Sequence, residues 1–315
     1  MKTSARSGRR ASLFLLLAGT ALACQSLPDA YPPRLENEAL GLQDQDAVRI
    51  ALRKQFGAPK ALRTPAALGF NAKRLLQGQR SFVELCARCH GSVGNGRGTW
   101  HRGRRGPRDF TRGAFKFTST GGTPTREDLL RTIREGLPGT IMPAFPQQSS
   151  SADALVDYVQ FIAIRGALEL RLILTLKDEG AISEAAVKES LKDLAGLWAG
   201  ASKAVIVPKR PSPAVTPKSI ARGRQLFVSA RAKCFECHGL EADGEGERSL
   251  VDDWGKAIEA SDLTEGEFRG GSRGIDIYRR IAGGIPGTPM PGLKGALRSD
   301  EIWDLVHFVK SLSED

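Results

Sequence analysis

The sequence predicts an all-α protein: two helical domains in tandem, joined by a helical insert and a Pro-rich linker. Three observations carry this prediction. The run Cys86-Ala87-Arg88-Cys89-His90 recurs as Cys234-Phe235-Glu236-Cys237-His238. In each copy a proline-flanked methionine, Met142 or Met290, follows the histidine by 52 residues, inside the matching octapeptides GLPGTIMP (136–143) and GIPGTPMP (284–291). Each copy is also preceded by a helical stretch that pairs a glycine with a phenylalanine four positions on, Gly78 with Phe82 and Gly223 with Phe227, which puts the two on one helix face. A lone methionine usually fills a core. Two in the same frame at the same offset read as ligands.

Residues 1–23 read as a secretory signal. Lys2, Arg6, Arg9 and Arg10 form a basic start, residues 11–23 are apolar, and Ala21-Leu22-Ala23 offers a small-residue cleavage site. Thirteen helical residues rise only about 20 Å, short of a hydrocarbon core of roughly 30 Å. Cys24 follows at once. The other four cysteines belong to the repeated motif, so Cys24 is a candidate for lipidation; the alternative is ordinary cleavage beside an incidental thiol.

Residues 24–72 form a polar arm that begins Pro-rich, then shows Val48, Leu52 and Phe56 at helical spacing over 44–56. The first domain, 73–165, opens with a helix up to Cys89. A middle helix follows over 125–135, with Thr125 as N-cap and Asp128 completing an imperfect capping box. A last helix over 151–164 turns Leu155, Tyr158, Val159 and Ile162 inward. Residues 166–200 have no counterpart after the second domain. Leu168, Leu172 and Leu176, then Ala185, Val187, Leu191 and Leu194, predict a helical hairpin split near Gly180 that separates the two domains. The linker, 201–217, holds Pro208, Pro211, Pro213 and Pro217 and reads as extended and semi-rigid. The second domain, 218–315, repeats the plan with helices over 275–282 and 299–312. Its spacing from Phe227 to Cys234 is seven residues, where Phe82 to Cys86 is four, so the first helix there should be distorted or followed by a loop.

The repeated Cys-x-x-Cys-His run is the attachment motif of c-type haem. Two thiols about one helical turn apart can add across two vinyl groups, and the next residue presents an imidazole to the iron. Cys86, Cys89, Cys234 and Cys237 are therefore read as covalent anchors of two haem c groups, with His90, Met142, His238 and Met290 as axial ligands. A thioether ligand raises the reduction potential relative to a second imidazole. Pro138 and Pro286 are expected to offer a backbone carbonyl that orients each imidazole. Zinc would need a second ligand pair in each domain, and none stands at zinc spacing. The Gly-rich runs GNGRG and DGEGE neither follow a strand nor open a helix, which excludes a nucleotide fingerprint. His101 reads as a loop residue and His307 as a core histidine.

Both halves resemble class I c-type cytochromes, and the tandem looks like a dihaem member. The resemblance lies in Gly78, Phe82, Cys86, Cys89, His90, Met142 and the helix around Tyr158 and Phe161. It returns in Gly223, Phe227, Cys234, Cys237, His238, Met290 and the helix around Trp303 and Phe308. Residues 107–113 and 252–255 also resemble segments of respiratory-chain cytochromes. The resemblance implies a helical fold around each haem, a periplasmic location and one-electron transfer with redox proteins or membrane respiratory complexes. A haem-carrying subunit of a larger oxidase or dehydrogenase is the alternative, and a dihaem peroxidase a third reading. The formal charge of +11 does not argue for nucleic acid in an exported chain. It is uneven, net +8 over 73–165 against −3 over 218–315. Arg102, Arg104 and Arg105 in the loop 97–112 are candidate docking residues for an acidic partner; pairing with haem propionates is the other reading.

Overall fold

A computed structural model describes residues 26–100, 106–146 and 151–313. The arm carries α1 (Leu35–Glu38), α2 (Leu42–Phe56) and a small antiparallel hairpin of β1 (Gly57–Ala58) and β2 (Ala61–Leu62), with Gly57 opposite Leu62. Helices α3 (Ala72–Leu85), α4 (Ala87–His90), α5 (Arg126–Glu135), α6 (Ala152–Glu179) and α7 (Glu184–Gly200) follow. The second half holds α8 (Pro217–Phe227), α9 (Phe235–His238), a hairpin of β3 (Leu250–Val251) and β4 (Ala257–Ile258), α10 (Gly274–Gly283) and α11 (Ser299–Ser311). The protein is mostly α, as expected. Among the described residues no helix is long and apolar enough to cross a membrane.

One close helix crossing organises each half. At Gly78 of α3 any Cβ would overlap the Ala154 carbonyl of α6, and at Gly223 of α8 it would overlap the Asp304 carbonyl of α11. The missing side chains let backbones touch, and Phe82 and Phe227, one turn on, are driven into the two cores at 0% and 1% exposure. Tyr158 meets Phe82 edge-on and Phe308 meets Phe227 likewise, with centroids 5.2 and 5.3 Å apart. Aromatic pairs in this geometry add roughly 1 kcal/mol beyond burial.

The arm and the insert share the first core. Val48, Leu52 and Phe56 are buried with Leu155, Phe161, Leu168, Leu172, Leu191 and Leu194 in one cluster. The predicted break at 165/166 is absent: α6 runs 28 residues through Gly166. Gly166 serves a close contact inside that helix, since a Cβ there would overlap the Thr111 carbonyl. Arg34 of the arm donates to both the Gly166 and Thr111 carbonyls and stitches three segments. The hairpin does turn at Gly180, which caps α6 at φ +74.

The capping box predicted at α5 forms, with Asp128 N donating to Thr125 Oγ1 at 3.1 Å and Thr125 N to Asp128 Oδ2 at 3.1 Å. At α11 the box is built on Glu301, which accepts from Arg298 N at 2.8 Å and from Arg231 at 2.7 Å. Those donors, Arg231 first, hold the Glu301 carboxyl down to about 2. Depressed in the fold, it stabilises fully above the ordinary carboxylate range and loses that contribution as pH falls toward 2. Glu301→Gln should therefore cost about 1 kcal/mol at pH 7 and progressively less at pH 4 and below. Urea unfolding of both proteins at the two pH values measures this.

The expectation that the insert holds the two domains apart is corrected. They touch through loops. Gly270 N donates to the Pro138 carbonyl at 3.2 Å, a Cβ on Gly121 would meet Gly283 Cα at 2.7 Å, and Gly270 lies against the Phe117 ring. The linker is tied to both halves. Ile206 N donates to Ser119 O at 2.8 Å, Arg279 returns a bond to Ile206 O at 3.2 Å, and Trp303 Nε1 donates to Arg210 O at 3.3 Å.

Candidate haem sites

The two Cys-x-x-Cys-His segments fold alike. Cys86 N donates to Phe82 O at 2.8 Å; three extra residues notwithstanding, Cys234 N donates to Phe227 O at 3.1 Å. In the second copy α8 stops at Phe227 and the chain turns through Lys233, a non-glycine at φ +51, before α9 begins. The predicted loop is there. His90 N and His238 N close one turn onto Cys86 O and Cys234 O, at 2.8 and 2.9 Å, which sets the cysteines one turn apart. Gly91 and Gly239, both at φ +78, then bend the backbone back so that Gly96 N and Gly244 N reach the histidine carbonyls.

His90 is buried and His238 half-buried, and both rings are oriented. His90 Nδ1 lies 2.9 Å from Arg108 O and His238 Nδ1 3.0 Å from Ser261 O. A carbonyl only accepts, so Nδ1 carries the proton and the Nε2 lone pair is the one offered to a metal. Burial lowers both imidazole pKa values, which favours the neutral ligand form. Phe110 stacks on His90 at 4.5 Å. Burial also pushes the Cys86 thiol up to about 12 and Cys234 to about 11.

Pro138 and Pro286 are corrected as the orienting groups. The carbonyls come from Arg108 and Ser261, in the loop after each motif, and the Pro138 carbonyl accepts from Gly270 instead. A repeated signal marks the residues that supply these carbonyls: each precedes an Asp-x-Thr turn, Asp109 to Thr111 and Asp262 to Thr264. There the aspartate accepts from the threonine N–H at 2.9 and 2.8 Å. The turn aims the preceding carbonyl at the ring whatever the side chain before it.

The methionine loops also repeat bond for bond. Leu137 N and Ile285 N each donate to the methionine carbonyl at 3.1 Å, and Thr140 and Thr288 hydroxyls donate to Leu137 O and Ile285 O at 2.7 Å. Gly136 and Gly284 take φ +70 and +72 against the following backbone. Met142 and Met290 are both half-buried, Met290 against the second core. Two thiols on one turn, a neutral imidazole with Nε2 offered and a rigid loop bearing a thioether form the donor set that c-type haem requires. Cys86, Cys89, His90 and Met142 are the candidates for one such set, and Cys234, Cys237, His238 and Met290 for the other.

Cys24, His101 and the docking candidates Arg102, Arg104 and Arg105 lie outside the described residues. Arg108 and Arg112 of the same basic loop face inward: Arg112 pairs with Glu36 at 2.9 Å, and both guanidinium groups lie over the Trp254 ring of the second half. His307 is a core residue, as expected, 2% exposed with Nδ1 on the Ser219 hydroxyl.

Residues 220–313 match the cytochrome c family, and residues 73–162 match the family of subunit III of cbb3-type cytochrome c oxidase. No curated protein is similar enough to count as a relative. Among solved structures, a chain of the reducing HAO-like protein complex of Kuenenia stuttgartiensis is similar at 30% identity. The match covers 75% of this chain and 96% of that one, with a TM-score of 0.57. The chain belongs to the class I c-type cytochromes, as a member with two such domains in tandem. Its domains bind haem c covalently, and electron transfer is their activity.

Proposed function

We propose that this protein carries single electrons through two haem c groups, outside the cytoplasm, between partners of a respiratory chain. Cys86, Cys89, His90 and Met142 would hold one haem, and Cys234, Cys237, His238 and Met290 the other. The observation that carries this is the duplicated site: the same ring-orienting carbonyl, the same cysteine turn and the same methionine loop in both halves. Two irons closed by thioethers suit electron passage, whereas a peroxidase needs an open position on one of them.

The reading as a subunit of a larger assembly has specific support. The similar Kuenenia chain comes from a protein complex, and the first domain matches a family of oxidase subunits. We take the carrier to work within such an assembly. Export rests on residues 1–23, anchoring on a diacylglycerol at Cys24, and docking to an acidic partner on Arg102, Arg104 and Arg105 within the net +8 of residues 73–165.

Mass spectrometry of the mature protein should show two haem additions; one or none ends the two-haem reading. The same spectrum reports whether Cys24 carries a lipid. Co-elution with other subunits in high salt supports the assembly, and solitary elution supports a free shuttle.

A further inference from the structure

We propose that Trp254 is a positioning residue shared by the two iron sites, clamping the segment that orients His90 against the loop that carries Met290. The inference rests on the two-haem reading above. Its evidence is a chain of contacts that crosses the domain boundary.

Trp254 sits at the tip of the β3–β4 hairpin, which has no counterpart among the described residues between His90 and Arg108. From His238 to its carbonyl partner Ser261 is 23 residues, against 18 from His90 to Arg108. The tip is built to hold the indole still. Asp252 Oδ1 accepts from Trp254 N at 3.0 Å and from Lys256 N at 2.9 Å, and Gly255 turns the chain at φ +77.

On one side the indole rests on Gly287, in the middle of the Met290 loop. A Cβ there would overlap Cη2 and lie 3.0 Å from Cζ3, so only glycine lets the ring lie flat on the loop backbone. On its other contacts, the guanidinium carbons of Arg108 and Arg112 lie 5.6 and 5.1 Å from the ring centroid. Arg108 is the residue whose carbonyl holds His90 Nδ1, and Arg112 ends the short turn that follows it, Phe110–Arg112. The cationic planes suit the indole face.

The geometry is reciprocal. The Met142 loop leans on the second domain as well, with Gly139 against Arg269 and the Pro138 carbonyl on Gly270. The Met142 loop thus leans on the other half directly, and the Met290 loop is tied to the first half through Trp254. A displacement of Trp254 would loosen the axial thioether of one site and the imidazole of the other together, though it ligates neither.

The test uses the intact holoprotein, with two haem additions first verified by mass; their absence would defeat the two-haem reading, not this one. Trp254→Ala should change the equilibrium constant for reduction at both sites, by about tenfold in total for a contact set of ~1.4 kcal/mol. It should also weaken the thioether-to-iron absorption at the second site and split one unfolding transition in urea into two. Trp254→Phe, which keeps an aromatic face, should restore most of each signal. Arg112→Lys keeps the charge and loses the planar face, so it should reproduce part of the effect on the second site from the first domain. Unchanged reduction at either site in Trp254→Ala would overturn the proposal. So would equal behaviour of the Ala and Phe variants, or no response of the second site to Arg112→Lys.

Discussion

Met290→Ala should leave the haem in place and lower the reduction potential of the second site on the order of 100 mV, within the roughly 0.8 V that axial ligands span. Retention follows from chemistry, because Cys234 and Cys237 anchor the group independently of the sixth ligand. The fall follows from losing a soft thioether that favours reduced iron. No other thioether can replace it: the chain has three methionines, of which one is Met1 and another is Met142 in the first site. The loop itself should survive, since its bonds run between backbone and the Thr288 hydroxyl rather than through the methionine side chain. Met142→Ala should do the same to the first site. Redox titration followed by absorbance resolves the two. If neither variant moved a potential, the axial assignment would be wrong while the covalent sites stood.

The candidate ligand set is legible because covalent and coordination chemistry tolerate few residue types. Cys, Cys and His must be adjacent on one turn, and the sequence shows them twice. The glycine–phenylalanine pairs were legible for a related reason: a backbone crossing accepts only glycine. Carbonyl orientation was not legible in the same way. Any residue carries a carbonyl, so Arg108 and Ser261 share no side-chain identity. The repeated Pro138 and Pro286 point to the wrong loop, while the informative repeat is the Asp-x-Thr turn beside the carbonyls that accept. The boundary after residue 165 fails because the apolar period of α6 runs on into the insert, with Gly166 admitting the Thr111 carbonyl against an unbroken helix. The domain interface left no periodic trace, because it is made of glycines, loop carbonyls and one hairpin tip.

Gly223→Ala should be among the most damaging single-methyl additions to the chain. The new Cβ would overlap the Asp304 carbonyl and stand 2.7 Å from Phe308 Cβ. Neither neighbour is a flexible side-chain end, so α8 and α11 must move apart along their whole contact. That separation would uncover Phe227, which packs one turn away on the same face at 1% exposure. Overpacking costs typically 1–3 kcal/mol, and a clash with backbone belongs at the top of that range, about 3 kcal/mol. With both halves unfolding in one transition, the melting temperature should drop by roughly 6–10 °C. Gly78→Ala should behave alike in the first half, where the methyl meets the Ala154 carbonyl and Tyr158 Cβ at 3.1 Å. Gly196 supplies the control. It lies inside α7 with nothing within 4 Å of an added Cβ, so Gly196→Ala should stabilise by about 0.5–1 kcal/mol through helix propensity alone. Opposite signs for one and the same substitution, read by thermal unfolding of the three holoproteins, would tie the cost to the helix crossings. A Gly223→Ala protein as stable as the parent would mean that α8 and α11 do not meet backbone to backbone.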